Sequence, residues 1–160
     1  MEQATHPATV PVEIPLGNYT TRVDGSGRVK LPAVFQNYVS NLSEKTLFVT
    51  SLDGCQVELY TLPAWRVAEK KLLATKGTGK QLLMVAGHLG SMVEMDSQGR
   101  GSLNSTLRAA LNIGEEPLYL YKFREHIRLE KEASYNARLA AIMTPALQKI
   151  ADDAFEDELP

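Results

Sequence analysis

Two arginines occupy equivalent points in two matching stretches of this chain. Around Asp24 the sequence reads TRVDGSGRVKLPAVFQNYV, and around Asp96 it reads VEMDSQGRGSLNSTLRAAL. At an offset of 72 residues Val23 falls on Met95, Asp24 on Asp96, Gly27 on Gly99, Arg28 on Arg100, Leu31 on Leu103 and Phe35 on Leu107. Burial accounts for the repeated apolar positions. Turn chemistry accounts for Asp24, Gly27, Asp96 and Gly99, because Asp and Gly suit the first and fourth positions of a type I turn. Neither accounts for a repeated arginine. A guanidinium is a planar fork that fits phosphate and the guanine edge, so Arg28 and Arg100 have two open roles: an anion contact, or an ion pair with the nearby aspartate. Side chains alternate along a strand, which places Lys30 on the face of Arg28. Arg22 lies on the incoming strand. Lys30 and Arg22 read either as further anion contacts or as a solvated face.

The competing chemistry is catalytic. Cys55 is the one candidate thiol nucleophile, with His88 or His126 as its base, but a lone cysteine and three scattered histidines (His6, His88, His126) match no recognised spacing. Cys55 follows Asp53-Gly54 and precedes a strand, which reads as a buried thiol. His126 alternates with Ile127 and reads as solvent-facing. Two histidines without an acidic motif make a poor metal site. GTGK at 77–80 lacks the first glycine of a phosphate-binding loop, with Ala74 in its place, and has Gln81 where Ser or Thr belongs. The expectation is a protein without catalysis, cofactor, metal or small-molecule substrate.

The elements that must position the arginines come in duplicate. Each copy opens with an extended stretch (GNYTTRV, GSMVEM), passes through Asp-x-x-Gly and continues extended (RVKL, RGSL), predicting a tight hairpin. Pro32 suits a helix first turn and Asn104 an N-cap, predicting short helices at 33–40 and 105–112. Strands follow at 46–50 and 56–60, and at 118–122 and 126–130. Val57 and Leu59, like Ile127 and Leu129, keep the strand period. The period then becomes helical through Trp65, Ala68, Leu72 and Leu73, and through Tyr135, Leu139, Ile142 and Met143. Trp65 and Tyr135 read as packing residues and Arg108 as structural. The predicted organisation is an arm at 1–16, a first unit at 17–74, a linker and lead-in strand at 75–89, a second unit at 90–143 and an acidic tail at 144–160, with Leu147 and Ile150 extending the last helix past Pro145.

The whole is 160 residues, 44% hydrophobic and 22% charged, which suits a folded α+β protein and argues against wholesale disorder. No apolar run approaches the ~20 residues needed to cross a bilayer, and the N-terminal stretch lacks a basic start and an apolar core, so a cytoplasmic location is expected. Net charge is −2, from 17 basic and 19 acidic residues. The acids Asp152, Asp153, Glu156, Asp157 and Glu158 crowd the end. The remaining body is mildly basic, a balance compatible with binding a polyanion.

The first copy, Y-x-x-x-x-D-x-x-G-R-x-x-L-P-A-x-F followed by L-D-G-C-x-x-x-L-Y-x-L-P-x-W, and the second D-x-x-G-R leading into Leu107-Arg108, resemble the MraZ family, regulators of the bacterial division and cell-wall gene cluster within the AbrB-type swapped-hairpin superfamily. The resemblance covers about 17–143. It implies an α+β fold of two swapped-hairpin units interlocked within one chain, each followed by a helix. It implies a homo-oligomeric ring, a nucleoid-associated location, and a basic β surface contacting double-stranded DNA at short direct repeats upstream of its own operon. Carried over by position, the DNA-contacting arginines are Arg28 and Arg100. The chain departs from the family pattern at Ser26, Gly101, Ser102, Asn104 and Ser105. The alternative is a protein-interaction module, antitoxin-like, with only non-specific DNA affinity. Salt separates the two, since DNA binding weakens steeply with ionic strength through counterion release.

Overall fold

A computed structural model describes residues 12–156. The first eleven residues, including His6, and the last four, including Asp157 and Glu158, lie outside the described residues. Residues 12–16 have no regular structure, and Ile14 packs against the core.

The first unit contains β1 (Asn18–Thr21), β2 (Arg28–Lys30), α1 (Ala33–Ser40), β3 (Thr46–Thr50), β4 (Val57–Thr61) and α2 (Leu62–Ala74). After α3 (Thr78–Leu89), the second unit repeats the plan with β5 (Ser91–Glu94), β6 (Arg100–Ser102), α4 (Ser105–Ala110), β7 (Leu118–Phe123), β8 (His126–Lys131) and α5 (Glu132–Ile142). A last helix, α6, spans Pro145–Ala154.

The two units exchange strands. All pairings are antiparallel, and the main sheet runs β1-β7-β8-β4-β3-β5. The first strand of each unit therefore lies on the third strand of the other, and β4 meets β8 at the centre. The remaining strands, β2 and β6, pair with each other as a separate ribbon. The local hairpin expected at each Asp-x-x-Gly is correspondingly slight. In the first unit it closes as one bridge, Val23 to Val29, while the ladders are made between units. Neither unit can bury its apolar face without the other, which accounts for the duplication.

Three layers result. Val57, Leu59, Leu118, Leu120, Ile127 and Leu129 form one face of the main sheet. With Val23, Val29, Leu31 and Leu103 from the hairpins, and Phe35 and Leu107 from α1 and α4, they make the buried core. Phe35 and Leu107 are both fully buried. The opposite face of the sheet is covered by α2 and α5. Trp65 packs on Phe48 and Tyr60, with ring centroids 4.7 and 5.1 Å away. Its counterpart Tyr135 packs on Tyr119 and Tyr121, at 5.0 and 5.2 Å. Two of the helices, α2 and α4, start on side-chain caps: the Thr61 hydroxyl accepts from the Ala64 N–H at 3.2 Å, and Asn104 Oδ1 accepts from the Leu107 N–H at 2.7 Å.

Four expectations are corrected. Residues 75–89 are not a linker and lead-in strand: 78–89 form α3, and the lead-in strand is β5. The glycines of GTGK serve this helical corner. Gly77 has φ +76°, and a Cβ on Gly79 would sit 1.9 Å from the Leu72 carbonyl oxygen, so glycine is needed where α3 crosses α2. Cys55 is exposed, on the loop between β3 and β4. His126 is buried, because β8 is a central strand covered on both faces. Glu58 Oε1 accepts at 2.6 Å from His126 Nε2 and at 3.0 Å from Arg128 Nε, and the His126 ring stacks on Tyr60 at 4.1 Å. The last helix does not run on past Pro145 either. It stops at Ile142, and α6 begins afresh after Thr144.

Candidate nucleic-acid interface

The two turns share one set of bonds. Asp24 Oδ1 accepts from the N–H groups of Ser26 (2.9 Å) and Arg28 (3.0 Å), and Oδ2 accepts from Arg28 Nε at 3.1 Å. Asp96 Oδ1 accepts from Gln98 (2.8 Å) and Arg100 (2.9 Å), and Oδ2 accepts from Arg100 Nε at 3.1 Å. Gly27 and Gly99 donate to the carbonyls of Asp24 and Asp96, with φ of +81° and +74°, a conformation only glycine takes without strain. The backbone N–H of Arg28 leads the groups that hold the Asp24 carboxyl below its ordinary range, and that of Arg100 does the same for Asp96.

The aspartate orients each guanidinium through Nε alone. Neither arginine's two terminal nitrogens make a further hydrogen bond among the described residues. The side chains are 35% and 29% exposed, so the ion pairs steady them without sealing them from solvent. Of the two open roles the local pair is the one that forms, and it leaves the terminal N–H donors of each fork partly exposed.

The turns are braced across the units. Leu31 N–H donates to the Gly99 carbonyl at 2.8 Å, and Leu103 N–H to that of Gly27 at 2.9 Å, which extends the β2–β6 ribbon symmetrically. Gln36 of α1 lies on Gly99 and donates to the Leu31 carbonyl at 2.7 Å. Arg108 of α4 lies on Gly27 and donates to the Leu103 carbonyl at 2.9 Å. Gln36 and Arg108 stand 72 residues apart, the offset of the duplication. That spacing was the one signal for this matched brace, and their unlike side chains hid it.

On the ribbon, Val29 and Gly101 face inward while Arg28, Lys30, Arg100 and Ser102 face out. Register sets Lys30 opposite Arg100 and Arg28 opposite Ser102. Arg22 is exposed beside this face, with one terminal nitrogen donating to the Glu115 carbonyl at 2.9 Å. Arg28, Lys30 and Arg100 are thus gathered on one outer surface, with Arg22 at its edge.

An α+β chain of two interlocked units, with a two-stranded ribbon and an Asp-held arginine at each turn, is a swapped-hairpin protein of the AbrB type. This chain belongs to the MraZ family. It is 38% identical over 104 residues to the transcriptional regulator MraZ of Koribacter versatilis, spanning 62% of this chain and 71% of that protein. It is 39% identical over 100 residues to that of Acidobacterium capsulatum, with 61% and 68% covered. To that of Hydrogenovibrio crunogenus it is 32% identical over 122 residues, with 73% and 69% covered. No family model matches the chain. The relatives are named as transcriptional regulators, not as enzymes. Among the described residues no helix is long and apolar enough to cross a membrane.

Proposed function

We propose that this protein is a sequence-specific DNA-binding regulator of transcription that acts on short direct repeats upstream of its own division and cell-wall gene cluster. The observation that carries the reading is the pair of turn-held guanidiniums, pre-oriented by Asp24 and Asp96 with their terminal N–H groups free for an anion. A positioned guanidinium loses less side-chain freedom on binding than a loose one. The β2–β6 ribbon is an element of the size that the major groove admits. Arg28 and Arg100 contact phosphates or guanine edges, Lys30 and Arg22 add phosphate contacts, and Asp24, Gly27, Asp96 and Gly99 hold the geometry. No cofactor enters the scheme.

One ribbon carries few cations, so a single chain binds weakly. A closed homo-oligomer that presents the ribbon several times engages repeated sites by avidity, and the protein works inside the cell at the nucleoid. The test is a mobility-shift titration with the protein's own upstream DNA. Arg28→Ala/Arg100→Ala abolishes the shifted complex while circular dichroism and light scattering match wild type. Wild-type affinity in the double variant sinks the reading.

A second reading, a protein-interaction module with only non-specific DNA affinity, is favoured by α6, on which Leu147, Ile150 and the following Phe155 are all exposed. It predicts a complex with a protein partner that survives raised salt and DNA binding without sequence preference.

A further inference from the structure

The duplication is symmetric in backbone but not in charge. In antiparallel register, the Val23–Val29 bridge sets Arg22 opposite Lys30 and Asp24 opposite Arg28. In the second turn the Asp96 N–H donates to the Arg100 carbonyl at 2.9 Å, as that of Asp24 does to Arg28 at 2.8 Å, and the 72-residue equivalence then assigns Glu94 and Ser102 the places of Arg22 and Lys30. Glu94 and Ser102 indeed line one shallow cleft. Adding the β2–β6 pairing, the outer face carries two rows of side chains across four extended segments. One row reads Arg22, Lys30, Arg100, Asp96. The other reads Glu94, Ser102, Arg28, Asp24. Each residue of one row is the 72-residue counterpart of the same place in the other.

Two changes, Arg22 against Glu94 and Lys30 against Ser102, separate the rows. The first holds three cations and one carboxylate. The second holds one cation and two carboxylates. Within the first, Lys30 and Arg100 are directly opposed in register with no acid between them, and like charges directly opposite destabilise a strand pair. A fold selected only for stability would place an acid at one of these positions. The arrangement is relieved by an external polyanion lying along that row.

Resting on the DNA-binding reading, we infer that Arg100 of the second unit acts with Lys30 and Arg22 of the first as one composite phosphate-contacting row, and that Arg28 stands outside it. The face presented to DNA is then not the same when turned end for end. Arg28 keeps its Asp24-oriented fork for a local contact, but it contributes less of the salt-dependent affinity.

Fluorescence anisotropy with a labelled mixed-sequence duplex and with the upstream DNA, at several salt concentrations, tests this on the full chain. Removing one cation that neutralises a phosphate lowers the slope of log affinity against log salt by about 0.9. Lys30→Ser lowers the slope by about that amount and melts no lower than wild type, since it removes a like-charge opposition. Arg100→Ala lowers the slope more than Arg28→Ala. Glu94→Arg/Ser102→Lys, which builds a second cationic row, raises it and tightens binding. Equal slopes for Arg28→Ala and Arg100→Ala with no gain from the double variant overturn the composite row, and so does a clear drop in melting for Lys30→Ser. Wild type that binds neither duplex at any salt refutes the DNA-binding reading itself.

Discussion

Asp24 and Asp96 each accept three hydrogen bonds in an open turn, and the chemistry that fixes the turn also aims the arginine. Replacing either by Ala removes two backbone bonds and the guanidinium anchor together, so Asp24→Ala and Asp96→Ala are expected to lower both the melting temperature and DNA affinity, read by calorimetry and anisotropy. The pH sign follows from depressed carboxyls. Their folded pKa lies below the unfolded value near 4, so their contribution is present above about pH 4 and is lost as pH falls through the lower folded value. An acid titration followed by NMR is expected to show both carboxyls titrating below ordinary aspartates. Gly99→Ala tests the brace. A Cβ there meets Gln36 Cδ at 2.3 Å in a left-handed backbone, and the conformation alone costs about 1–2 kcal/mol, measurable by denaturant titration. At this scale much of the site was legible, because Asp and Gly at fixed turn positions have local reasons that repeat at 72 residues. The lopsided charge was not. Glu94 and Ser102 gain meaning only once register sets them in the places of Arg22 and Lys30.

Among the elements, β8 shows where strand period misleads. His126, Arg128 and Glu130 alternate with Ile127 and Leu129, a pattern that reads as one wet face. In the middle of a six-stranded sheet that face is roofed by α5 and its neighbours. The polar side chains are instead paired: His126 and Arg128 with Glu58, and Glu130 with Tyr121 at 2.7 Å and with Arg138. Glu58 and Arg128 face each other in register, so removing the guanidinium leaves the buried Glu58 carboxylate with the His126 ring as its remaining side-chain partner. Arg128→Ala is expected to cost about 1–3 kcal/mol, the loss of one hydrogen bond to a buried charged group, read from denaturant unfolding. Burial, and then the charge of Glu58, pushes the Tyr60 phenol up to about 12. Its contribution is complete below the unfolded value near 10 and is lost as pH rises toward 12, so stability should decline over that interval, and less so in Tyr60→Phe. The helix α3 was missed for another reason. TKGTGK carries loop residues, and it masked the helical spacing of Leu82, Val85, Ala86 and Leu89 that follows. Nothing local announces that Gly79 is there to let α3 approach the Leu72 carbonyl. By contrast α1, α4 and the strands β3, β4, β7 and β8 fall close to their expected bounds, because Pro32 and the Asn104 cap mark the two helix starts and the period marks the strands.

For the molecule as a whole, the strand exchange makes each unit a partial structure, since β1 and β5 complete the sheet of the opposite half. A chain ending after Thr144 keeps every element of the core, because α6 buries no residue. It is expected to melt as the full protein does in calorimetry, and light scattering of the same variant reports whether the exposed Leu147, Ile150 and Phe155 join copies together. The duplicated plan was visible from the sequence offset. The exchange of strands was not visible from periodicity, because a strand that pairs with its neighbour and one that pairs across the repeat have the same alternation. One consequence of the central pairing concerns synthesis. On a polysome, emerging first halves lie close to one another, and two such halves joining along β4 would bring Glu58 against a second Glu58, with the guanidinium of Arg128 absent. Burying that repulsion is penalised, so a nascent first half is biased to wait for the second half of its own chain rather than to fuse with its neighbour on the same messenger.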